Sequence, residues 1–590
     1  MDMIMKKHTL VIMMAVLFVA MLSCEDELTT IPKDTITDQG ITFSANEMEM
    51  YANQFYTSLP GTMAAWAWES DAASDNDVPA SFTSYPLAFG TQTIPASGGG
   101  WNWGNIRNVN FFLDNISVSE APQSAQDKYL GEILFFKAFF YFDLMKRFGD
   151  LPWLETTLDV DSPELFEGRL SRSVVADSIL SVLDRSIEKL PVKSQTQYGR
   201  IHRDVALLFK ARVALYEGTW EKYHAGTPFE GDGRDVDRFF TQARDAAEEV
   251  MESGYTLYSD FSHPEIPEGF SYWRLFSTPS SEISSISEVL LAREYSADLD
   301  LIYWGQQIRT SGGTNGHGIS KSLVDAYLCD DGLPISVSPE YLGDETLENV
   351  TTNRDPRLKM TVSTPGMPIK IFNGVVDTYE LPFLTLNPWP NTTGYQIYKW
   401  LSPFIATEDA SGNNTSNAVP LFRYAEALLI AAEAHEELGT CTQAVLDRTI
   451  NLLRDRARVP HLDVSVGFSD PNWNFPGLSP LMNEIRRERR VELAFEGFRR
   501  DDLYRWAATD LIRAPRLGSK LEQWRDRSFE PAYDVDEVSQ RIENVDGYIS
   551  PLLQTFGEGE VGFDPSKNYL APLPVDQLTL NPNLEQNPGY

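Results

Sequence analysis

The sequence predicts an all-α fold in which tetratricopeptide-like helix pairs form a scaffold beside an irregular, loop-rich region. Apolar residues recur at steps of three and four across 125–148, which is the period of a helix with a buried face. Later helical segments carry small residues where helices would cross, and partner helices are spaced by about 30–35 residues, as in tetratricopeptide repeats. Between 255 and 420, in contrast, Pro, Gly and aromatic residues are frequent and long helical patterns are few.

The individual elements follow from the same periodicity and from the residues that interrupt it. The first helix is predicted over 46–58, the second begins near Trp103, and the third covers 125–148 and ends at Gly149. The final stretch, Asn568–Tyr590, is rich in Pro and Asn and is predicted to be extended. Further helices are predicted at Ser173–Leu190, Arg203–Glu217, Val236–Glu252, Leu421–Leu438, Thr442–Arg458, Leu481–Glu496 and Arg500–Ala508.

Residues 1–23 have the order of a secretory signal peptide. Two lysines precede an apolar run from Leu10 to Leu22, which is shorter than the about 20 residues that a membrane span needs. The segment Met21–Cys24 resembles a bacterial lipobox. We therefore expect Cys24 to become the first mature residue and to carry acyl chains such as palmitate. A membrane-spanning anchor and an ordinary cleavage site are the alternatives.

Three acidic residues, 25–27, follow Cys24 and resemble the export signals of lipoproteins on the outer face of the outer membrane. The sequence therefore predicts a lipid-anchored protein that faces the cell exterior. We interpret residues 24–45 as the acylated tether and residues 46–590 as a single domain. Its scaffold is predicted at about 46–254 and 420–510, and its irregular ligand-binding region at about 255–420.

The chain is strongly acidic, with 85 Asp and Glu against 49 Lys and Arg, for a net charge of -36. Loss of residues 1–23, which hold two lysines and one aspartate, changes the net charge from -36 to -37. Such a surface repels nucleic acid, so nucleic-acid binding is excluded. Besides Cys24 the chain has only Cys329 and Cys441, and a disulfide between them stays open.

Signatures of enzymes are missing, and we predict neither catalysis nor a cofactor. The sequence contains no HExxH, no P-loop and no GxSxG. A literal GxGxxG begins at Gly557, but glutamates at 558 and 560 would repel a pyrophosphate. Aspartates at 71, 75 and 77, and at 232, 235 and 237, could hold a structural calcium ion, although solvated acidic loops are the simpler interpretation.

Aromatic residues in loops are the most distinctive feature of the sequence. A large ring on a loop either fills the core or offers a binding platform. A sugar has an apolar face and a rim of hydroxyls, which suit an aromatic ring flanked by polar side chains. Core packing stays the alternative for each ring. The predicted ligand-binding residues are Trp68, Asp71, Asn76, Tyr85, Trp101, Tyr272, Trp273, Tyr303, Trp304 and Asn315.

Several sequence blocks occur in a fixed order over nearly the whole chain. They are Gly131–Leu144, Arg147–Pro152, Gly199–Leu215, Arg354–Leu358, Gly394–Lys399, Leu421–Ala434, Ile485–Trp506 and Asn581–Tyr590. Together they resemble the SusD/RagB family of outer-membrane nutrient-binding lipoproteins, and Ile485–Gly497 is the most specific of them. In that block Glu and Arg alternate with apolar residues at helical steps, so we expect their charges to pair across helices.

The resemblance implies a SusD-like fold with four tetratricopeptide-like helix pairs and no enzyme activity. It also implies a partner, a TonB-dependent SusC-like outer-membrane transporter on which the lipoprotein sits as a lid. Ligands of the family are usually glycans and sometimes peptides. Because ligand contacts vary among members, the resemblance assigns none of them here.

The expected function is capture of an oligosaccharide at the cell surface and its delivery to the transporter. A peptide-binding, RagB-like member is the first alternative. A lipoprotein hydrolase and a pure helix-repeat scaffold are two further alternatives. A hydrolase would release product by itself, whereas a scaffold would bind the transporter and no small ligand.

Overall fold

The computed structural model describes residues 43–61, 70–79, 81–233, 235–299, 301, 316–380, 391–405, 416–524 and 543–590. Its regular structure is mostly helical. The first six helices are α1 (Ala45–Tyr56), α2 (Gly104–Asn115), α3 (Gln123–Phe148), α4 (Arg172–Lys189), α5 (Arg203–Tyr223) and α6 (Asp237–Met251).

Short elements fill the middle of the chain. They are α7 (Ser271–Leu275), α8 (Ser280–Ile283), β1 (Val289–Arg293), α9 (Lys321–Ala326), α10 (Leu347–Thr351), α11 (Arg357–Thr361), β2 (Pro368–Phe372), β3 (Val375–Thr378) and β4 (Val419–Arg423).

Helices dominate again in the last third. They are α12 (Tyr424–Glu437), α13 (Gln443–Asp447), α14 (Ile450–Ala457), α15 (Pro480–Glu492), α16 (Arg499–Arg505), α17 (Thr509–Arg513), α18 (Leu553–Phe556) and α19 (Val575–Leu580). Short 3₁₀ turns occur at Ile116–Val118, Pro163–Phe166, Lys193–Gln195, Ala297–Leu299 and Glu522–Trp524.

A row of packed helices forms the scaffold. Each helix from α3 to α6 packs against the next, α6 packs against α12, and α12 packs against α15. Small residues lie at the crossings, as the sequence predicts. A Cβ atom at Gly131 would lie 2.8 Å from the Leu190 side chain, and one at Gly218 would lie 2.8 Å from the Phe240 ring. These helices can therefore approach closely only because residues 131 and 218 are glycines, which have no side chain.

Phe43, the first residue that the structure describes, is already packed, three positions before the predicted domain boundary at residue 46. Phe43 is buried against the ring of Phe112, with the two ring centroids 5.2 Å apart. Ser44 then caps α1, since its hydroxyl accepts from Glu47 N and the Glu47 carboxylate accepts from Ser44 N. This reciprocal capping box satisfies donors that the first helical turn leaves free.

Several predicted boundaries are wrong. Helix α5 continues to Tyr223 rather than ending at Glu217, and the final stretch, predicted to be extended, contains helix α19. Residues 421–423 belong to strand β4, which pairs antiparallel with β1. The segment 442–458 is two helices, because Thr449 has a non-helical backbone (φ -129°, ψ -94°). Helix α15 ends at Glu492 rather than at 496, and Phe495 nearby adopts a positive φ of 58° that a helix cannot contain. Each break depends on backbone geometry that apolar periodicity does not report.

Two small sheets occur within the helical frame. Strands β1 and β4 form one sheet, and β2 and β3 form a hairpin. The hairpin turns at Asn373-Gly374, where both residues have positive φ. Asn-Gly favours this type of two-residue turn. The fold nevertheless remains all-α in class.

Buried ion pairs join α15 to the irregular region. Arg357 contacts Glu488 at 2.5 Å and Glu492 at 3.1 Å, measured from Nη1 to the carboxylate oxygens. Arg423 reaches Glu492 at 2.7 Å and Glu496 at 2.7 Å. All these side chains are at most 5% exposed. The expected pairing of the α15 charges across elements is thus present and fixes how the helix sits against α11 and β4.

Among the described residues, none of the helices has both the length and the apolar character that crossing a membrane requires. One continuous apolar core includes residues from Phe43 to Leu573 and therefore draws on both the helical row and the irregular region.

Candidate functional site

Three segments that follow aromatic-rich stretches of the sequence meet at one place. The backbone N–H of Val78 donates to the carbonyl of Gly318 at 2.8 Å. The hydroxyl of Thr392 donates to the carbonyl of Val78 at 2.6 Å. We call this meeting point the loop junction; it is formed by residues 76–78, 317–319 and 391–394.

Glycines allow the loop junction to close. A Cβ atom at Gly318 would lie 2.4 Å from Thr393 Oγ1 and 2.8 Å from Thr393 N. Gly394 has a φ of +83°, and a Cβ atom there would lie 2.2 Å from Ser519 Oγ. Contacts under 3 Å to backbone atoms cannot be relieved by rotating a side chain. The nearest atoms at Gly394 belong to the side chains of Ser519 and Trp524, so at this position the positive φ is what favours glycine.

Asp71 and Asn76 are buried structural residues, which corrects their prediction as ligand contacts. Asp71 accepts hydrogen bonds from Asn76 Nδ2 and from the backbone N–H of Phe495, both at 2.8 Å. Asn76 Oδ1 accepts from Arg490 Nε at 2.8 Å. Burial raises the pKa of Asp71 to about 6, although these hydrogen bonds oppose the shift. Both residues fasten their loop to the end of α15.

The neighbouring aspartates also have protein partners. Asp75 pairs with Arg499 at 2.6 Å and with Arg490 at 3.1 Å. Asp77 Oδ2 lies 2.6 Å from Nδ1 of His317. Within the described ranges no group of three or more His, Cys, Asp or Glu side chains is arranged to hold a metal ion. Burying these carboxylates requires such partners, and the pairing explains why three aspartates can lie so close in sequence.

Tyr272 and Trp273 are not loop residues, and their burial contradicts the prediction of both as ligand-binding residues. They lie in helix α7 with exposures of 1% and 0%. The Tyr272 hydroxyl donates to the carbonyl of Glu492 at 2.8 Å. The Trp273 ring stacks on Tyr398 with centroids 5.5 Å apart and planes 14° apart. Both rings fill the core between α7 and its neighbours, so neither offers a face to a ligand.

Trp101 is half-buried beside the end of α3. Its ring makes edge contacts with Trp103, at 5.2 Å between centroids, and with Phe148, at 5.0 Å. Most of its surface is therefore used in packing. Four predicted ligand-binding residues lie outside the described residues: Trp68, Tyr303, Trp304 and Asn315.

Tyr85, in contrast, lines a cavity of about 250 Å³. The cavity lies between the 84–92 loop, the last turns of α3 and the first turn of α16. Tyr85 itself is half-buried. Tyrosine rings and charged groups share the lining, which includes Tyr85, Gln92, Asp143, Arg147, Arg500 and Tyr504. Such a mixture of apolar faces and directed polar groups is typical of small-molecule sites.

Some of the charges at this cavity neutralise one another. Lys146 Nζ contacts Asp501 Oδ2 at 2.7 Å, and Arg500 Nη2 lies 3.2 Å from Asp501 Oδ1. Burial alone would raise the pKa of Asp501, but Lys146 and Arg500 hold it at about 2. Asp501 therefore carries a full negative charge at neutral pH and is committed to these two cations.

Two other groups at the cavity lack such partners. Among the described residues no carboxylate lies within ion-pairing distance of Arg147, whose guanidinium packs near the Phe148 ring at 5.6 Å. Gly100 makes room for it, because a Cβ atom there would lie 2.6 Å from Arg147 Cζ. The Tyr504 hydroxyl is buried and has no hydrogen-bond partner in the part of the chain described.

The sequence did not identify Arg147, Arg500 or Tyr504 as site residues. Arg147 lies in the last turn of α3, where a basic residue is common because it complements the helix dipole. Arg500 and Tyr504 lie in the Ile485–Trp506 block, which the sequence predicts to be scaffold. Only the packing of α16 against the end of the helical row brings the three together.

The chain resembles known proteins over nearly its full length. SusD-like protein P2 of Formosa agariphila is 24% identical over 505 residues, covering 82% of this chain and 78% of the relative. A SusD-like carbohydrate binding protein of Bacteroides fragilis has a similar structure, with a TM-score of 0.67 and 20% identity, covering 92% of this chain and 99% of its own. A laminarin binding SusD-like protein has a TM-score of 0.52 and 18% identity, covering 93% and 100%.

Two family models match the chain. One, described as starch-binding associating with outer membrane, matches residues 29–215. The other, described as the SusD family, matches residues 289–590, which is 302 of 590 residues and so just over half of the chain. Together with the SusD-like fold of the solved structures, this match means that the chain belongs to the SusD family.

Proposed function

We propose that this protein binds an oligosaccharide at the outer cell surface and delivers it to a TonB-dependent SusC-like transporter. The observation that carries the proposal is the cavity beside Tyr85, in which a half-buried aromatic ring lies among Gln92, Asp143 and two arginines. A sugar presents an apolar C–H face to a ring and hydroxyls to polar groups. Membership of the SusD family, and the carbohydrate-binding names of relatives, support this ligand class.

Binding in this proposal involves no bond chemistry. The buried carboxylates of the α15 region are held by arginines, as in the Arg357–Glu488 and Arg423–Glu492 pairs, and so have no free role as acids or bases. A cavity of about 250 Å³ is smaller than the roughly 300–1,000 Å³ of pockets that enclose drug-sized ligands. It would accept one sugar unit and leave the rest of the chain outside.

The proposed anchor is an acylated Cys24, which lies outside the described residues. Phe43, the first described residue, is 19 positions further on, so the connecting segment could span at most about 65 Å. This reach would let the domain move as a lid on the transporter while the acyl chains stay in the outer membrane. The description of the family model for residues 29–215 supports an outer-membrane association.

Calorimetry of the mature chain with a panel of neutral and charged oligosaccharides and a peptide pool tests the proposed ligand class. We expect at least one glycan to bind and Tyr85→Ala to weaken that binding about tenfold or more, as loss of an aromatic anchor does. Tyr258→Ala is the matched control, because Tyr258 is another half-buried tyrosine that does not line the cavity. Binding of peptides and of no glycan would instead favour the peptide-binding alternative.

Localisation and partnership need separate tests. Replacement of Cys24 by serine should release the protein from the membrane fraction, and co-purification with a SusC-like transporter should require no added ligand. A Cys24→Ser protein that stayed in the membrane fraction would contradict the lipid anchor. Release of product from a polysaccharide by the purified protein alone would contradict binding without chemistry.

A further inference from the structure

The cavity beside Tyr85 carries more positive charge than the chain around it. Lys146, Arg147 and Arg500 line it together with two acidic residues, Asp143 and Asp501. Asp501 is already bound to Lys146 at 2.7 Å and to Arg500 at 3.2 Å. The lining therefore has a net charge of about +1, whereas the whole chain has a net charge of -36.

Arg147 is an exposed cation in this lining and the one without a carboxylate partner among the described residues. Its guanidinium has five N–H donors, and among the described residues it makes no hydrogen bond or ion pair. Partial burial has the largest effect on the pKa of Arg147 and lowers it. Asp143 raises this pKa and Arg500 lowers it, because both charges lie near the guanidinium. The Gly100 backbone behind it leaves no room for a side chain that could neutralise it from that side.

Tyr504 also lines this cavity. Its side chain is 94% buried, given an exposure of 6%, and its hydroxyl has no partner among the described residues. That hydroxyl has almost no accessible surface, so Tyr504 contributes its ring to the cavity lining rather than a hydrogen-bond donor. Asp143 is exposed at the cavity and is available to accept hydrogen bonds from ligand hydroxyls.

We propose that this cavity is a subsite for an anionic sugar unit, whose carboxylate or sulfate is bound by Arg147 and Arg500. The planar guanidinium fork of arginine matches the paired oxygens of either group. The Asp143 carboxylate accepts from hydroxyls of the same sugar unit, and the Tyr85 ring covers its apolar face. This inference rests on the proposed function, since it names the class of glycan that the protein binds.

The test is calorimetry with the mature chain and three probes: tetragalacturonate, a sulfated galactan tetrasaccharide and neutral laminaritetraose. We expect one of the two charged probes to bind at least tenfold more tightly than the neutral probe, and its affinity to fall as ionic strength rises. The charged probe that binds identifies carboxylate or sulfate as the anion. Arg147→Gln and Arg500→Gln should each weaken its binding tenfold or more.

The controls separate charge, geometry and folding. Arg458→Gln removes an exposed arginine of the Arg458–Glu268 pair and should leave the affinity unchanged. Arg147→Lys keeps the positive charge without the planar guanidinium and should lose part of the affinity. An unchanged melting temperature shows that each variant is folded. If laminaritetraose binds and neither charged probe binds more tightly, or if both Gln variants bind the charged probe normally, the anionic subsite is overturned while glycan binding stands. If no probe or other glycan binds, the proposed function itself fails.

Discussion

The Nη1 atom of Arg423 lies 2.7 Å from Oε1 of Glu492, and this contact joins strand β4 to helix α15 inside the core. The two side chains are 3% and 0% exposed. Glu492 also contacts Arg357 at 3.1 Å and pairs with Arg456. The three arginines hold the pKa of this carboxyl well below its usual range, against the effect of burial. One carboxylate thus balances charge from three separate elements.

Glu492→Gln should therefore destabilise the protein strongly. The variant keeps the shape of the side chain but leaves Arg357, Arg423 and Arg456 buried with less opposing charge. Removing one partner of a buried pair costs about 3–5 kcal/mol. We expect a fall of that size in the free energy of unfolding, measured by urea denaturation at neutral pH.

Glu268→Gln is the matched control for this prediction. It alters the exposed Arg458–Glu268 pair, whose side chains are 58% and 86% exposed. Exposed pairs contribute about 0–1 kcal/mol, so the midpoint of unfolding should barely move. Equal midpoints for the two variants would contradict a stabilising role for the buried network.

Asp71→Asn should change how stability depends on pH. In the unfolded chain the carboxyl titrates near about 3.9, whereas burial raises its pKa to about 6 in the fold. Between these values the native state binds more protons, so the contribution of Asp71 to stability falls as pH rises from about 4 to about 6. Relative to the wild type, the variant should gain up to about 3 kcal/mol between pH 4 and pH 7. Urea unfolding across this range measures the difference.

Asp75→Asn should give the opposite trend and serves as the control. Burial alone would raise the pKa of Asp75, but Arg490 and Arg499 hold it well below its usual range. A depressed carboxyl pKa contributes stability above the unfolded value of about 3.9 and loses it as pH falls below that value. The variant should be less stable than the wild type at pH 7, with a gap that narrows in acid. Parallel pH profiles for the two variants would contradict this assignment of charge states.

Gly318→Ala should open the loop junction. The new methyl group would lie 2.4 Å from Thr393 Oγ1 and 2.8 Å from Thr393 N, and the backbone atom cannot rotate away. Overpacking of this kind costs about 1–3 kcal/mol. Gly477→Ala is the control, since no atom lies within 4 Å of its Cβ position and its φ is not in the positive range. Thermal unfolding should separate the two variants; equal melting temperatures would show that the contact is readily relieved.

Trp273→Ala should lower the stability of the protein, whereas Tyr85→Ala should lower its affinity for glycan. Trp273 is fully buried and stacked on Tyr398, so its loss should cost about 3–5 kcal/mol of stability. Tyr85 is half-buried at the cavity, so its loss should lower glycan affinity with a small change in melting temperature. Calorimetry and thermal unfolding on both variants check this. A stable Trp273→Ala protein with lost binding would return Trp273 to the site.

Much of the scaffold could be predicted because its signals are local. The apolar steps of three and four in α3, and the Gly149 that ends it, lie within one stretch of chain and need no other part of the molecule. The close crossings at Gly131 and Gly218, in contrast, depend on the side chains of Leu190 and Phe240, which only the tertiary structure brings next to them. The aromatic residues of the middle region carried no comparable signal, since a ring in a core and a ring at a site have the same neighbours in sequence.

The sequence by itself determined the helical class, the order of the long helices and the acidic character of the chain, because each depends on residues close together or on composition. Only the tertiary structure decided which polar and aromatic side chains are buried. The Phe495 N–H that binds Asp71 is 424 positions away, and the hydroxyl of Tyr272 reaches Glu492 across 220 positions. The cavity that joins Arg147 to Arg500 spans a similar distance in sequence. Burial of a side chain depends on such long-range contacts, so the local sequence pattern does not predict it.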